Sequence, residues 1–231
     1  HMTIGAGKPL DQDLVRIQKA IDSGEFAENP ALIALFTHVH KHTSTLHVIG
    51  LLSDGGVHSH MEHLFAFLRT AKEKGVTQVA VHVFTDGRDT PPQSAGGYMK
   101  ELEQVLHDTG IGFIASVSGR FYAMDRDNNW DRLDKTIDVL FENKGHVCTT
   151  SPSVYIEKLY TQSNGNAGLD EHIEPMVCEI NGKTSKIEKN DGIFFFNFRA
   201  DRARMLSKKI IERVELHNLK FATLTEYDAQ Y

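Results

Sequence analysis

The strongest constraint on the fold is a repeated succession of three kinds of segment: a short apolar run, a polar loop, then an amphipathic helical stripe. Leu46–Leu52 is a near-continuous apolar run that gives way to the polar stretch 53–60. It is followed by Met61, Leu64, Phe65, Leu68 and Ala71 at helical spacing, with Gly75 at the stop. Residues 79–84, the Pro- and Gly-bearing loop 85–97, and the stripe Met99, Leu102, Val105 and Leu106 before Gly110 repeat the pattern. A third unit runs through strand 112–117, loop 118–129 and the stripe Trp130, Leu133, Ile137, Leu140 and Phe141. After an interruption the rhythm resumes with 192–198, the polar 199–204, and a helix bearing Met205, Leu206, Ile210 and Val214. An apolar run without polar alternation is buried on both faces, as a parallel strand between helical layers is. Parallel neighbours also require crossover helices. The reading is therefore α/β: a mainly parallel sheet with helices on both faces.

The remaining segments are less regular. Leu14, Ile17 and Ile21 share one face of a helix over 12–22, and Asn29-Pro30 opens a second helix to about His40. Ser151-Pro152 opens another through about Tyr160, and Ser163-Asn164-Gly165-Asn166-Ala167-Gly168 reads as a flexible loop. Residues 176–180 and 183–187 flank Asn181-Gly182, which predicts a small β-hairpin excursion with a type I′ turn, because both turn residues tolerate positive φ. A strand and exit loop close the chain over 219–227.

Composition narrows the function. The 231 residues carry 25 Lys+Arg against 31 Asp+Glu, a formal net charge of −6. The overall field therefore opposes nucleic acid and anionic membranes, and a bound anion needs a local cationic cluster. No apolar run approaches the ~18 residues of a membrane span. Cys148 and Cys178 lie far apart with no C-x-x-C, so the spacing indicates neither a disulfide framework nor a zinc ribbon.

The charges gather after the strands. Asp54, His58 and His60 follow the first; Asp86, Arg88 and Asp89 the second; Arg120 and Arg126 the third; Arg199, Arg202 and Arg204 the fourth. In an open parallel sheet these loops share the carboxyl edge, where ligands bind. Guanidinium forks there suit a small polyanion bearing carboxylate or phosphate. Plainer readings exist for each piece. Asp-Gly-Gly and Asp-Gly-Arg-Asp are ordinary turns, Asp201 could cap a helix whose first turn carries the arginines, and His38, His40, His42 and the other histidines read as surface helix residues. Gly5-Ala6-Gly7-Lys8 lacks the length and the following Ser/Thr of a Walker loop and reads as a linker. His58 and His60 with Asp54 and Asp86 could instead be ligands of a self-contained metal hydrolase. The arginines alone could make a non-enzymatic anion-binding module.

Four motifs taken together carry a resemblance. Leu51-Leu52-Ser53-Asp54-Gly55-Gly56-Val57-His58-Ser59-His60, Asp86-Gly87-Arg88-Asp89-Thr90-Pro91-Pro92, Ser118-Gly119-Arg120-Phe121-Tyr122-Ala123-Met124-Asp125-Arg126-Asp127 and Asn197-Phe198-Arg199-Ala200-Asp201-Arg202 resemble, in order, the cofactor-independent phosphoglycerate mutases. The resemblance covers one of that family's two domains, the inserted phosphotransferase or substrate-binding domain. It implies a cytoplasmic, monomeric glycolytic and gluconeogenic isomerase interconverting 2-phosphoglycerate and 3-phosphoglycerate through a phosphoserine. The serine and two manganese ions would belong to a phosphatase-like domain outside this sequence, leaving no metal or other cofactor in this chain. On that carry-over Asp89 is the general base and acid with His58 beside it, and both, with Arg88, Arg120, Arg126, Arg199 and Arg202, hold the substrate. The resemblance also implies a domain layout. His1-Met2 reads as a cloning scar within residues 1–3, 4–227 as a single domain, and 228–231 as a truncated linker toward the phosphatase-like domain, with both crossings near Ile4-Gly5-Ala6-Gly7 and Leu224-Thr225-Glu226-Tyr227. The expectation is a chain that binds phosphoglycerate but does not turn it over alone.

Overall fold

The structure is a computed structural model describing residues 11–163 and 169–229. The Gly5–Lys8 linker, the start of the chain and most of the 163–168 loop lie outside the described residues. In chain order the elements are α1 (Asp13–Ser23), α2 (Pro30–His42), β1 (Leu46–Leu52), α3 (Met61–Glu73), β2 (Val79–Thr85), α4 (Ala95–Thr109), β3 (Gly112–Gly119), α5 (Arg120–Ala123), α6 (Trp130–Glu142), β4 (His146–Cys148), α7 (Pro152–Gln162), β5 (Met176–Cys178), β6 (Gly192–Phe195), α8 (Arg204–His217) and β7 (Lys220–Thr223). One seven-stranded sheet in the order β4-β5-β3-β2-β1-β6-β7 joins them, parallel except where β5 runs against β3.

Strands β1 and β2 are buried along their whole length, and the burial follows the pleat. Leu46, Val48 and Leu52 with Val79, Val81 and Val83 face one apolar layer formed with α2, α3, α4 and α7. Ile49, Leu51 and Phe84 face a second layer with α6 and α8. Two faces of one pleated sheet are thus covered by separate helical layers, which is the reason the strand sequences are apolar without alternation. Local chemistry sets the helix ends. The Asn29 side chain accepts from Ala31 N at 2.9 Å with Pro30 at the first helical position, and Gly110 closes α4 in the left-handed region.

Several expectations are corrected. Helix α4 begins at Ala95, so the second loop is shorter than its turn residues suggest. The third loop contains the single turn α5, which starts at Arg120 itself. Asn181 and Gly182 do take positive φ and close reciprocal bonds between Ile180 and Lys183, but residues 183–187 form no strand. The arm before the turn, β5, belongs to the main sheet instead, paired with β3 and with β4, a three-residue strand too short to announce itself by periodicity. Not all remaining histidines are on the surface either. His47, His63 and His82 are buried, and Asp191 Oδ2, His47, His82 and Ser116 Oγ form a chain of contacts at 3.1, 2.8 and 2.7 Å beneath the second layer. A buried imidazole is tolerated when such partners satisfy its nitrogens.

The carboxyl end of β3 is pinned from outside the sheet. A Cβ at Gly119 would lie 2.3 Å from Glu171 O and 2.7 Å from Ile173 N, while one at the exposed helical Gly97 meets nothing within 4 Å. Gly119→Ala is expected to cost about 1–3 kcal/mol because backbone must move. Gly97→Ala is expected to stabilise by about 0.4–1 kcal/mol. Urea denaturation of the two variants checks both signs.

Candidate functional site

Strands β3, β2, β1 and β6 are adjacent and parallel, so the four loops after them meet at one edge. The centre of that edge is Asp86, 1 % exposed. Its Oδ1 accepts from the backbone N–H groups of Arg88 and Asp89 at 3.1 and 3.0 Å and from Arg120 Nη1 at 2.6 Å, and its Oδ2 accepts from the Ser53 hydroxyl at 2.7 Å. Gly87, at φ +70°, lets the chain turn back over its own carboxylate. Burial works against the Asp86 anion, but the Asp89 N–H, the Ser53 hydroxyl and Arg120 outweigh it and hold the carboxyl below its usual pKa.

Arg120 also donates to Asp89 Oδ2 at 2.6 Å. Beyond Asp89 stands His58, 4 % exposed, with Nε2 3.7 Å from Asp89 Oδ2 and Nδ1 3.7 Å from Asp201 Oδ1. Burial, then the Arg120 charge, push the His58 pKa down to about 4, against the pull of Asp201 and Asp89, so the ring is neutral near pH 7. His58 Nδ1 is buried without a hydrogen-bond partner. Asp201 in turn pairs with Arg199 Nε at 3.0 Å and Arg126 Nη1 at 3.3 Å. Against the effect of burial, Arg199, His58, the Arg202 N–H and Arg126 keep the Asp201 carboxyl below its usual pKa. Arg202 donates to Met124 O at 3.1 Å, and its pKa is lowered by burial and by the like charges of Arg126, Arg120 and Arg88.

The structure therefore brings together His58, Arg88, Asp89, Arg120, Arg126, Arg199 and Arg202. Other candidates face elsewhere. Asp54 accepts from the Tyr98 hydroxyl at 2.6 Å, His60 Nδ1 accepts from Glu62 N at 3.3 Å at the start of α3, and Arg204 donates to Tyr227 O at 2.8 Å. His58 and His60 have separate surroundings, because the backbone of 53–60 is irregular and does not hold residues two apart on one face as a strand would. The metal-hydrolase reading fails on this separation, and among the described residues no group of three or more His, Cys, Asp or Glu side chains could hold a metal ion. Asp201 is no helix cap: α8 starts three residues later, at Arg204, with no side-chain cap.

Two residues escaped the reading of the sequence. Asp170, fully buried, caps α4 by accepting from Ser94 N and Ala95 N at 2.9 and 3.0 Å and takes the Tyr160 hydroxyl bond. Its neighbour Glu171 is thereby set 3.3 Å from Arg88 Nη1. Nothing in the polar stretch around them hints at this, since the helix that Asp170 caps lies 75 residues away. A groove of about 520 Å³ lined by Arg16, Gly56, Val57, Phe198 and Arg199 flanks the cluster. A larger one, about 990 Å³, lies at the opposite end of the strands among Thr45, Gln78, Gly112 and Lys183, and none of the seven residues lines it.

Fold and site together define a class: a mostly parallel α/β domain whose carboxyl edge gathers arginines, a neutral histidine and carboxylates. A family model described as "BPG-independent PGAM N-terminus" matches residues 17–229, and the chain belongs to that family. Relatives named 2,3-bisphosphoglycerate-independent phosphoglycerate mutase are 41% identical over 237 residues in Francisella tularensis subsp. tularensis (strain WY96-3418) and 45% over 244 in Myxococcus xanthus (strain DK1622). Both alignments take in 100% of this chain and 46% of the relative, so the chain spans about half the length of the curated relatives it matches. The solved phosphoglycerate mutase of Leishmania mexicana, crystallised at low cobalt concentration, superimposes with a TM-score of 0.87 at 28% identity, over 95% of this chain and 42% of that one.

Two tests follow from this geometry. Arg120→Ala leaves the Asp86 carboxylate buried without its cation and is expected to cost about 3–5 kcal/mol, whereas Arg126→Ala, at a half-exposed pair, changes stability by less than about 1 kcal/mol in chemical denaturation. His58 and His63 are lowered to about 4, and His82 well below its usual value, in each case first by burial. All three hold protons less readily folded than unfolded. Stability is therefore complete above the unfolded value near 6.5 and falls as the pH drops from there toward 4, with a limiting slope of about 1.4 kcal/mol per pH unit for each proton. A urea midpoint at about pH 5 that equals the one at about pH 7.5 would overturn the assignment.

Proposed function

We propose that this chain is the substrate-binding half of a phosphoglycerate mutase and that its arginine-lined edge holds 2- or 3-phosphoglycerate. The observation that carries the proposal is the convergence of Arg88, Arg120, Arg126, Arg199 and Arg202 from the loops after β2, β3 and β6 at one edge of the sheet, with like charges pressing on Arg202. Part of this positive charge is answered by Asp86, Asp89 and Asp201, and a phosphate plus a carboxylate answers the rest. The family name and the curated relatives point to the same ligand.

In this reading the arginines hold the two anionic ends of the glycerate and neutralise charge as phosphate leaves and returns. Asp89, oriented by Arg120, takes the proton of the free hydroxyl and later gives it back. His58, uncharged near pH 7, offers one ring nitrogen as donor and one as acceptor beside Asp89, adding no further positive charge to the arginine cluster. The phosphoryl acceptor and the metal ions belong to the companion domain that the resemblance implies. Residues 4–227 act as one domain, monomeric and cytoplasmic with the rest of its enzyme; no helix of the described residues is long and apolar enough to cross a membrane.

Isothermal titration with 3-phosphoglycerate is expected to give saturable one-site binding, weakened roughly tenfold or more in Arg202→Ala, the loss of one charge-assisted contact. Sulfate binding as tightly as phosphoglycerate would identify a general anion module instead. A coupled assay of the chain alone is expected to register no interconversion of the two phosphoglycerates; turnover would overturn the division of labour.

A further inference from the structure

The two cysteines, separated by 30 positions in the sequence, are directly opposite one another in the fold. Cys148 ends β4, Cys178 ends β5, and the parallel register pairs them residue to residue. Side chains at paired positions of neighbouring parallel strands point to the same face. Both side chains enter the first apolar layer, each 1 % exposed or less, and the Cys148 thiol lies 3.3 Å from Thr150 O. Adjacent strands lie about 4.8 Å apart, inside the range of Cα separations that a disulfide spans. The pair is chemically asymmetric as well. The neighbouring Cys178 side chain, outweighing burial, lowers the Cys148 pKa to about 6, with Thr150 contributing, while Cys178 is pushed well above its ordinary value first by Cys148 and then by burial. Cys148 also ends the edge strand, so of the two sulfurs it is the one that local opening of that edge uncovers first.

Access comes from the edge. β4 has three residues and, among the described strands, pairs only with β5; its central Val147 is 46 % exposed and the following Thr149 and Thr150 are exposed. Such a strand opens locally at little cost compared with the buried centre of the sheet. The chain between the two cysteines is not incidental. It includes α7 and the Asp170–His172 turn, through which Asp170 caps α4 and Glu171 meets Arg88.

We propose that Cys148 and Cys178 are a reversible redox pair whose disulfide latches the β4 edge onto β5 and closes the segment that carries Asp170 and Glu171. With a low-molecular-weight disulfide as oxidant, the Cys148 thiolate attacks one sulfur and the first small thiolate leaves, giving a mixed disulfide. Cys178 then loses its proton and attacks the Cys148 sulfur, releasing the second small thiol. Two protein thiols are oxidised, one disulfide is reduced to two thiols, and a reductant of the same class reverses both steps.

Incubation of the folded chain with oxidised glutathione, followed by non-reducing peptide mapping, tests this. The expected product is lighter by two hydrogens and yields one peptide pair cross-linked through Cys148 and Cys178; dithiothreitol restores the starting mass. Cys178→Ser is expected to stop at one glutathionyl group on Cys148, and Cys148→Ser to react far more slowly. Hydrogen exchange of wild type is expected to give added protection over 146–178 after oxidation. The redox pair is overturned if the cross-link forms only in urea, or if both cysteines acquire glutathione independently. The latch is overturned if the cross-link forms and exchange over 146–178 is unchanged. The mapping and exchange use only the wild-type chain, so neither result depends on a variant folding.

Discussion

The buried contact between Asp86 and Arg120 is the constraint around which the site is arranged. A carboxylate this deeply buried is expensive unless its acceptor sites are filled, and here donors from three loops fill them: Ser53 after β1, the Arg88 and Asp89 amides after β2, and the Arg120 guanidinium after β3. Burying such a pair contributes little net stability, since desolvation offsets the attraction. What it supplies is position. The loops cannot shift independently without stranding a charge, and Arg120 passes that fixity on to Asp89 through its second bond.

A cluster of guanidinium groups repels itself unless negative charge answers it, and the structure meets that demand with carboxylates of its own. Asp201 sits between Arg199 and Arg126, Asp89 against Arg120, and Glu171 against Arg88. The half-exposed members of these pairs are worth little individually. They can therefore break and re-form at little cost, whereas the Asp86 pair, desolvated on all sides, cannot. Neutral His58 between two carboxylates fits the same scheme, because burial has removed a charge that would otherwise compete for them.

Much of this was legible in the residues. The bounds of β1, the starts of α3 and α6, and the stops at Gly75 and Gly110 follow from apolar periodicity and end chemistry, both local in the chain. The seven candidate residues were legible for a related reason: once the strands are parallel, every loop after a strand lies on one edge. Strands β4 and β5 were not, since three residues carry no readable period and their pairing is chosen by distant neighbours. Asp54, His60 and Arg204 share the loops of the site yet face away, because side-chain direction depends on φ and ψ in irregular backbone and not on proximity in sequence. Asp170 and Glu171 stayed hidden because the groups they serve are remote in the chain.

The sequence by itself determined the alternation of strand and helix, the burial of the sheet on both faces and the edge at which the charges collect, since each follows from hydrophobic spacing and from the handedness of parallel connections. Tertiary structure alone decided the neighbour order, with β5 inserted against β3 and β6 returning beside β1, and the pairing of Arg120 with Asp89 and of Arg88 with Glu171 across 31 and 83 residues of chain. It also set Cys148 opposite Cys178. Such pairings are selected by the summed packing of the whole core, and no local period of the chain encodes which distant segment will supply a partner.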